Sequence, residues 1–321
     1  MCRLALALFL LLCALPAWAA ETVGFAMIAV PDADAGPIEV GLWYPAADAA
    51  PRLTPVGPFM QLVVPGGAVR AGAWPLVVVS HGNGGAFFSH ADTALALATA
   101  GFVVAAPTHP GDNFRDASRA NDPGLRTRQL AAVVAHLAER WEPGRVDQGR
   151  IAAFGFSSGG FTVLAAAGAR PDWDRLAPHC AAHPAFYDCR LLGHAPAAAT
   201  PRLITEPRLR ALVVAAPALG FTFGPGSLDG VRVPVQLWQA GEDAILPAPH
   251  YVEPVRAALP RPPEFHRVDQ AGHFDFMAPC SERLSQAAPA ICAGAPGFDR
   301  AAFHARFNAE VARFLSDALR P

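Results

Sequence analysis

Short apolar runs alternate with helix-compatible runs from residue 75 to the end of the chain, and this alternation limits the possible folds more than any other feature. Five continuous apolar runs have the length and composition of strands buried on both faces, and they lie at 76–80, 102–106, 151–154, 212–215 and 233–238. A weaker sixth run lies at 265–268. Strands separated by helices predict the α/β class, with a mostly parallel sheet covered by helices on both faces.

Two segments carry the apolar stripe of a helix that packs on a sheet, with side chains spaced at the helical period. The first stripe consists of Leu130, Val133, Val134, Leu137 and Trp141. The second stripe consists of Phe303, Phe307, Val311, Phe314, Leu315 and Leu319. Asp299 is placed to cap the second helix at its N-terminus. Both stripes are interpreted as core, not as cofactor contacts.

The segments before the first buried strand have a different pattern. Residues 22–30 and 38–44 predict an antiparallel hairpin at the edge of the sheet. The Pro-rich stretch 45–75 is expected to be a long loop. No internal repeat and no interdomain linker is evident, so we predict a single mature domain at 21–321.

The first twenty residues have the layout of a secretory signal peptide. A short positive start precedes an apolar run at 4–15, and small residues follow at Ala19 and Ala20. The apolar run is shorter than the ~20 residues that a membrane-spanning helix needs, which makes a membrane anchor the weaker alternative. We therefore expect a signal peptide at 1–20, cleavage near Ala19 or Ala20, and a secreted or periplasmic protein.

Composition excludes several classes of protein. With 52% hydrophobic and 16% charged residues, the chain can bury a large core and is not disordered. All 25 basic residues are Arg, and the formal net charge is −2. This balance gives no reason to expect a nucleic acid or an anionic membrane as a partner. No apolar stretch after residue 20 is long enough for a stable membrane span, and the sequence gives no indication of oligomeric state.

Two of the six cysteines lie in the predicted signal peptide, and the mature chain keeps Cys180, Cys189, Cys280 and Cys292. An even number of cysteines in an exported protein predicts two disulfides. Proximity in the sequence favours Cys180–Cys189 and Cys280–Cys292 among the three possible connectivities. A zinc site is the alternative, and we reject it because the spacings lack a CxxC motif or a partnered histidine pair.

The strongest chemical signal is the sequence Gly-Phe-Ser-Ser-Gly at 155–159, which follows the apolar run 151–154 and precedes a helix-compatible run at 161–167. A serine between a strand and a helix, with glycine two residues away on both sides, is the pattern of a nucleophile elbow. Side chains at the glycine positions would collide in so tight a turn. Ser157 is therefore the candidate nucleophile, with an ordinary Gly/Ser turn as the alternative.

A serine hydroxyl needs a base, and in this pattern the acid and then the base follow later in the chain. Asp243 comes just after the predicted strand at 233–238, and His273 comes just after the last predicted strand. The order Ser157, Asp243, His273 therefore predicts a triad in which Asp243 orients the imidazole of His273. Glu242 is the alternative acid, and His109 is a weaker alternative for the base.

The segment Ser-His-Gly-Asn-Gly-Gly at 80–85 follows the predicted strand at 76–80. A loop this rich in glycine lets the backbone approach a substrate closely. We predict that the backbone amides of Asn83 and Ser158 form an oxyanion hole. A turn without a ligand is the alternative, and a phosphate-binding loop is disfavoured because no Lys-Ser/Thr follows.

Four residues are predicted to contact substrate: His81, Gly82, His109 and Phe156. The segment 109–113, His-Pro-Gly-Asp-Asn, follows the next strand and should border the same cleft. A structured turn without substrate contact is an equally good interpretation of that segment.

Two segments that do not fit the alternation, 170–207 and 275–298, are interpreted as loops over the active site, the first as a small lid-like insertion. Aromatic side chains in and after the first segment suit an apolar acyl or aromatic group, or else pack the lid on the body. These aromatic residues are Trp173, Phe186, Tyr187, Phe221 and Phe223.

Five motifs together carry a resemblance to a known family: SHGNGG at 80–85, HPGDN at 109–113, GFSSGG at 155–160, GEDAILP at 241–247 and AGHFDF at 271–276. The sequence resembles bacterial α/β hydrolases described as predicted dienelactone hydrolases, which are similar to platelet-activating-factor acetylhydrolases and cutinase-like polyester hydrolases. The tail, APCS at 278–281 and PGFDRAAFHARFN at 296–308, also fits this group. The resemblance implies the α/β-hydrolase fold. Dienelactone hydrolases proper use a cysteine nucleophile, and Ser157 departs from that pattern.

The sequence as a whole predicts a serine esterase that acts on acyl, lipid or polyester-like esters through an acyl-enzyme, without a metal or an organic cofactor. A serine peptidase of the same fold is the first alternative. A hydrolase-like binding module without catalysis is the second, although such modules usually lack part of the triad. The acyl chain, the alcohol and the physiological role do not follow from the sequence.

Overall fold

A ten-stranded sheet forms the centre of the computed structural model, which describes residues 22–47, 49–193 and 201–320. The predicted signal peptide at 1–20 and its cleavage site lie outside the described residues. The strands, in chain order, are β1 Val23–Val30, β2 Ile38–Pro45, β3 Arg52–Val56, β4 Phe59–Pro65, β5 Trp74–Ser80, β6 Val103–Thr108, β7 Val146–Phe156, β8 Leu209–Ala215, β9 Val235–Ala240 and β10 Glu264–Val268.

The spatial order of the strands is β10-β9-β8-β7-β5-β6-β2-β1-β4-β3. Strands β5 to β10 are mutually parallel, whereas β2 pairs antiparallel with both β6 and β1. All six predicted parallel strands are therefore present, and the predicted hairpin of β1 and β2 joins them next to β6. The parallel strands other than β10 are nearly continuously buried at their carboxyl-terminal halves, which explains their unbroken apolar sequences.

Helices cover both faces of the sheet. In the described part of the chain they are α1 Ala91–Thr99, α2 Pro123–Glu139, α3 Ser158–Ala166, α4 Leu176–Ala182, α5 Tyr187–Leu192, α6 Val252–Ala258, α7 Glu282–Ala287, α8 Pro289–Cys292 and α9 Arg300–Ala318. Helices α1 and α9 pack on one face, and α2 and α3 pack on the other. The predicted stripe of α9 is buried, and Asp299 caps the helix by accepting a hydrogen bond from the Ala302 amide at 2.9 Å.

The stretch 45–75 is not a long loop, and the prediction of a loop there was wrong. It contains the antiparallel hairpin of β3 and β4, and β4 extends the sheet beyond β1. Strand β3 includes Pro55 and is largely exposed, because it is the outermost strand and proline is tolerated at such an edge. Its lack of a buried apolar pattern is the reason that the sequence did not predict it.

Short helices make up the predicted lid-like segment where the structure describes it. A 3-10 helix at Trp173–Arg175 leads into α4, and α5 follows after a short turn. A 3-10 helix at His273–Phe276 overlaps the start of the second predicted loop, which also contains α7 and α8. Among the described residues, no helix combines the length and the hydropathy that crossing a membrane requires.

Candidate active site

Ser157 lies at the turn between β7 and α3, with backbone angles φ 56° and ψ −121°. A positive φ is rare for a residue with a side chain and marks a backbone held under strain. A Cβ at Gly155 would collide with the carbonyl oxygen of Gly159, and a Cβ at Gly159 would collide with the carbonyl oxygen of Ser80. Glycine at both positions therefore allows β7, α3 and β5 to approach closely enough to hold the turn.

Ser157, His273 and Asp243 form one hydrogen-bonded row. The Nε2 atom of His273 lies 3.0 Å from the Ser157 hydroxyl oxygen, and its Nδ1 atom lies 2.7 Å from Asp243 Oδ2. Because the carboxylate only accepts hydrogen bonds, Nδ1 carries the proton and Nε2 is left to accept the serine proton. The three residues, far apart in the sequence, meet because each follows the carboxyl end of a parallel strand.

Asp243 is fixed by its own backbone environment. Its Oδ1 atom accepts hydrogen bonds from the amides of Ile245, at 3.0 Å, and Leu246, at 2.7 Å. The second oxygen remains free for His273. Glu242, the alternative acid, is exposed. Its contact with the His273 loop is a hydrogen bond from its backbone amide to the Ala271 carbonyl. The structure therefore places Asp243, not Glu242, beside the imidazole.

The loop that carries His273 is tied to α9 by a buried ion pair. Asp275 accepts a hydrogen bond from the Gly272 amide at 2.8 Å and pairs with Arg300 at 2.8 Å. Arg300 also donates to the Ile291 carbonyl at 3.0 Å. This pair links the second predicted active-site loop to the position of the imidazole, a coupling that no sequence pattern indicated.

A cavity of about 210 Å³ opens at the Ser157 hydroxyl. The described residues that line it are Gly82, Asn83, Gly84, Gly85, Ser89, Phe156, Ser157, Tyr187, Ile245, His273, Phe274, Met277 and Ile291. Most of its side-chain surface is apolar, and none of these residues is acidic or bears a permanent positive charge. Such a cavity suits an apolar acyl or aromatic group next to a few convergent polar atoms.

In the described part of the chain, the backbone amides of Asn83 and Ser158 donate no hydrogen bond to another backbone group. Asn83 lines the cavity at Ser157, whereas Ser158 lines a separate, smaller cavity. Ser158 is the first residue of α3, where an amide has no partner inside the helix. The Gly84 amide, in contrast, donates to Asp112 at 3.0 Å. Asn83 and Ser158 therefore keep the two donors that the sequence analysis assigned to an oxyanion hole.

The Asn83 side chain holds its loop to two other elements. Its amide nitrogen donates to Asp112 Oδ1 at 2.6 Å, and its oxygen accepts a short hydrogen bond from the Tyr187 hydroxyl. Asp112 in turn forms a buried ion pair with Arg126 at 3.0 Å, and Arg126 donates to the His81 carbonyl. Both charged side chains are at most 3% exposed. This pair, missed by the sequence analysis, anchors the loop at 81–84 to α2.

The side chains of His81 and His109 are buried and are not among the residues that line the cavity, so the prediction that they contact substrate is corrected. The His109 amide donates to His81 Nε2 at 3.2 Å, which leaves His81 Nδ1 to donate to the Gly82 carbonyl at 2.6 Å. His109 bridges Ser80 and Gln129. Burial, reinforced by Arg126, lowers the pKa of both rings well below the ordinary value. They are neutral supports of the loop, whereas Gly82 and Phe156 line the cavity, and their contact with substrate stays a prediction.

Comparison with known proteins agrees with this architecture. Residues 88–192, about a third of the chain, match the prolyl oligopeptidase family of peptidases, Peptidase_S9. This segment includes Ser157 but neither Asp243 nor His273. Among solved structures, the ferulic acid esterase from Streptomyces cinnamoneus superposes with a TM-score of 0.66 at 20% sequence identity, covering 96% of this chain and 92% of that chain. The chain has the α/β-hydrolase fold. No curated protein matches it.

Most of the five aromatic residues in and after the predicted lid-like segment do not line the cavity at Ser157. Phe221 and Phe223 are buried in the core, where Phe223 stacks on Phe161, and Trp173 packs on the same ring. Phe186 and Phe221 stack on histidine rings of the lid region. Tyr187 alone of the five lines the cavity among the described residues. The packing interpretation therefore holds for the other four.

Two disulfides brace the segments around the α/β-hydrolase site. Cys180 pairs with Cys189 and Cys280 pairs with Cys292, with Cα–Cα distances of 5.2 and 5.8 Å. These are the pairings that sequence proximity favours. The first joins α4 to α5, and the second closes the loop whose Ile291 lines the cavity.

Asp188 is a buried acid close to this site that the sequence analysis did not single out. Its Oδ2 atom accepts a hydrogen bond from the Leu219 amide at 2.8 Å, and the side chain borders a small cavity of about 30 Å³ together with Ser158 and Arg126. Burial raises its pKa to about 6, although the Leu219 hydrogen bond and the charge of His273 oppose the shift. A pKa raised in this way identifies a carboxyl group whose ionisation the fold disfavours.

Proposed function

We propose that the protein is a serine hydrolase that cleaves carboxylic esters through an acyl-enzyme, with Ser157 as nucleophile, His273 as base and Asp243 as the orienting acid. The observation that carries the proposal is the unbroken row of hydrogen bonds from the Ser157 hydroxyl to Asp243, at the mouth of the cavity. A serine hydroxyl becomes a useful nucleophile at neutral pH when a positioned base can take its proton.

In the proposed acylation step, Ser157 Oγ attacks the ester carbonyl carbon while His273 Nε2 takes the hydroxyl proton. Asp243 stabilises the imidazolium that forms. The carbonyl oxygen becomes an oxyanion and accepts hydrogen bonds from the amides of Asn83 and Ser158. When the carbonyl re-forms, the alcohol leaves with the proton from His273, and the acyl group stays on Ser157.

In the deacylation step, water replaces the alcohol. His273 Nε2 takes a proton from the water, the hydroxide attacks the acyl carbonyl carbon, and the same two amides hold the oxyanion. Collapse of this second intermediate releases the carboxylic acid and returns the proton to Ser157. Every proton in the cycle passes through His273, so the fixed position of its ring is the central requirement.

The shape and lining of the cavity favour an ester with an apolar acyl or aromatic group. The apolar surface of the cavity comes from Phe156, Ile245, Phe274, Met277 and Ile291. Tyr187 adds one hydroxyl, which donates a hydrogen bond to the Asn83 side chain. The structural neighbour with 20% identity is described as a ferulic acid esterase, and ferulic acid is an aromatic acid. This likeness supports an ester with an aromatic or similarly compact acyl group as the first substrate class to test.

A serine peptidase is the second candidate, because residues 88–192 match a peptidase family. Enzymes that trim peptide ends commonly hold the free amine with carboxylates. Among the described residues of the cavity lining, none is Asp or Glu. Asp188 instead accepts from the Leu219 amide, and Glu206 pairs with Arg208 at 2.7 Å. These two acids of the lid-like segment are therefore engaged in other contacts, which favours the ester.

A fluorophosphonate probe separates an enzyme from a binding module with the same fold. We expect stoichiometric labelling of the wild-type protein at Ser157, located by peptide mass spectrometry, and no labelling of Ser157→Ala. A Ser281→Ala variant, in which a different partly buried serine is removed, is the control and should label normally. Absence of labelling in folded wild-type protein would contradict catalysis by Ser157.

A substrate panel separates the esterase from the peptidase. p-Nitrophenyl esters of graded acyl length and feruloyl esters are compared with aminoacyl and peptidyl p-nitroanilides at pH 8. Anilides are intrinsically harder to cleave, so a modest preference for esters decides little. Anilide turnover with kcat/KM at or above ~10⁴ M⁻¹s⁻¹, the low end of ordinary enzymes, would overturn the ester assignment.

We also propose that the protein is exported, because an expected signal peptide precedes a domain that carries two disulfides. Each disulfide closes a short loop and is worth about 2–3 kcal/mol of stability by the chain-entropy argument. Protein isolated from the culture medium or periplasm should begin near residue 20 and show no free thiol by mass spectrometry. Four alkylatable cysteines in that protein would contradict the proposal.

A further inference from the structure

Three histidine rings converge away from the Ser157 cavity, where α4 meets the 3-10 helix at Ala248–His250. The ligand nitrogens of His179, His183 and His250 all lie within 4.8 Å of one another. The ring centroids are 5.0 Å apart for His179 and His183, 5.5 Å for His179 and His250, and 4.3 Å for His183 and His250. None of the three belongs to the lining of the Ser157 cavity.

Local structure brings these rings to one point. The His183 amide donates to the His179 carbonyl at 2.9 Å, so the two residues are one helical turn apart and present their rings on the same face. His250 approaches from the segment after β9, where its amide donates to the Pro247 carbonyl at 3.0 Å. Helical spacing supplies two of the three rings, and the tertiary fold supplies the third.

Aromatic stacking holds two of the rings in place. His179 lies on Phe221 with a centroid distance of 3.8 Å and an interplanar angle of 9°, and His183 lies on Phe186 at 4.6 Å and 8°. Stacking fixes the ring planes but leaves the ring nitrogens free at the edges. The arrangement is therefore ordered before any ligand binds, which reduces the entropic cost of binding.

The ring nitrogens have no competing partners in the described part of the chain. His179 Nε2 is buried and makes no hydrogen bond, which is unusual for a buried polar atom. No hydrogen bond from the rings of His183 or His250 to another described residue is present.

From this convergence we propose that His179, His183 and His250 form a binding site for a divalent transition-metal ion, with Zn²⁺ as the best fit. Neutral imidazole is a preferred ligand of zinc, copper and nickel ions, and three histidines with one solvent position make a common zinc coordination set. Zn–N bonds of about 2.0–2.1 Å place ligand nitrogens about 3.3 Å apart in a tetrahedral site, so the three nitrogens, which lie within 4.8 Å of one another, must move closer when the ion binds.

A metal ion at this point would fasten the lid-like segment to the body of the protein. His179 and His183 belong to α4 and its C-terminus, whereas His250 belongs to the segment that follows the Asp243 loop. The disulfide from Cys180 braces α4 directly beside His179. The site is thus a second cross-link, in addition to the disulfide, and its effect is on the order and stability of this region.

We expected no metal site, because the cysteine spacings lack a partnered histidine pair. His179 and His183 are such a pair, separated by four residues and flanking Cys180 in the sequence. The metal-binding signal therefore lay in the histidines rather than the cysteines. The third ligand, 67 residues beyond His183, becomes visible only when the chain is folded.

The test uses tag-free mature protein that has been treated with a chelator and keeps both disulfides. Isothermal titration calorimetry measures Zn²⁺ binding, and thermal denaturation at increasing Zn²⁺ concentration measures the melting temperature. We expect one equivalent to bind and the melting temperature to rise with the concentration of free Zn²⁺. His179→Gln, His183→Gln and His250→Gln should each weaken binding at least about tenfold, which corresponds to about 1.4 kcal/mol. His136→Gln, which removes a partly exposed histidine of α2, is the matched control and should bind like the wild type.

A second measurement does not depend on the variants folding well. Modification of histidines by diethylpyrocarbonate, read by mass spectrometry, should slow at His179, His183 and His250 when Zn²⁺ is added and stay unchanged at His136. No saturable binding, or equal protection of all histidines, would overturn the proposal. Binding that His250→Gln leaves intact would also overturn it, because that result would assign the ion to the helical pair alone.

Discussion

At the scale of single residues, the proposed chemistry depends on three side chains that are held by backbone hydrogen bonds at Ser157 and Asp243 and by packing at His273. The Ser157 amide donates to the Ala215 carbonyl at 3.0 Å, and Asp243 accepts from the Ile245 and Leu246 amides. His273 is 5% exposed and packs against Phe156, with ring centroids 4.8 Å apart. These contacts hold the row of hydrogen bonds ready before substrate arrives, which is the basis of electrostatic preorganisation.

The first prediction concerns the proposed catalytic row. Ser157→Ala and His273→Ala should each lower kcat by on the order of 10³-fold or more, and Asp243→Asn should lower it strongly by allowing the wrong tautomer of His273. Double variants should lose no more than the worse single variant, because the residues act as a unit. Steady-state kinetics on a p-nitrophenyl ester measures these losses, and circular dichroism checks folding. Near-normal turnover by Ser157→Ala would refute the assignment.

The second prediction separates the backbone of Asn83 from its side chain. Asn83→Pro removes the proposed oxyanion donor and should lower kcat by roughly 10²–10³-fold. Asn83→Ala keeps the amide but loses the hydrogen bond to Asp112, so we expect a smaller loss that arises from a displaced loop. Tyr187→Phe removes only the other side-chain contact and serves as the control. If folded Asn83→Ala were as inactive as folded Asn83→Pro, the side chain would be the working group.

At the scale of elements, the oxyanion loop after β5 is held by α2 through charge. Asp112 and Arg126 are almost fully buried, and both reach the loop: Asp112 through Asn83 and Gly84, and Arg126 through the His81 carbonyl. Burial lowers the pKa of Arg126, although Asp112 opposes the shift. The Asp112 carboxylate therefore compensates the Arg126 guanidinium for the water that it loses on burial. The conformation of the loop depends on this ion pair remaining intact.

The third prediction is that Asp112→Asn destabilises the protein by about 3–5 kcal/mol, because it leaves the Arg126 charge buried without its partner. The same variant should lower kcat more than it changes KM, since the proposed oxyanion donors act mainly in the transition state. Glu39→Gln, which removes an exposed ion pair with Arg115, is the control and should cost at most about 1 kcal/mol. Urea denaturation and ester kinetics give both quantities; an Asp112→Asn protein as stable as Glu39→Gln would contradict this role.

At the scale of the whole molecule, Asp188 makes folding stability depend on pH. Its pKa in the folded protein is about 6, above the ordinary value of 3.8, so the folded state holds the proton more tightly than the unfolded chain. Stability therefore falls as the pH rises from about 4 to about 6, and the penalty persists at higher pH. Two pKa units correspond to on the order of 3 kcal/mol.

The fourth prediction follows from this fall in stability with rising pH. Asp188→Asn keeps an acceptor for the Leu219 amide but cannot ionise, so it should stabilise the protein at pH 7.5 by up to roughly 3 kcal/mol and much less at pH 4. Urea denaturation at the two pH values measures the difference. Asp174→Asn, at an exposed position of the same segment, should show no such dependence. An Asp188→Asn effect of equal size at both pH values would exclude ionisation as the cause.

Much of the architecture and the order of the candidate triad could be predicted from local sequence alone. Buried parallel strands are recognisable because both faces need apolar side chains, and a nucleophile elbow is recognisable because its tight turn requires glycine two residues before and two residues after the serine. The carboxyl ends of parallel strands lie along one edge of the sheet. Placing Ser157, Asp243 and His273 at such ends was therefore enough to predict that they meet.

Contacts between distant segments that no local motif marks could not be predicted. The edge hairpin of β3 and β4 carries little apolar pattern, the Asp112–Arg126 pair joins a loop to a helix, and His250 joins two histidines of α4 only in the folded chain. The sequence by itself determined the strands, the elbow and the chain order of the triad, because these follow from local backbone and burial constraints. Only the tertiary structure decided which polar side chains support the site, because their partners come from other elements.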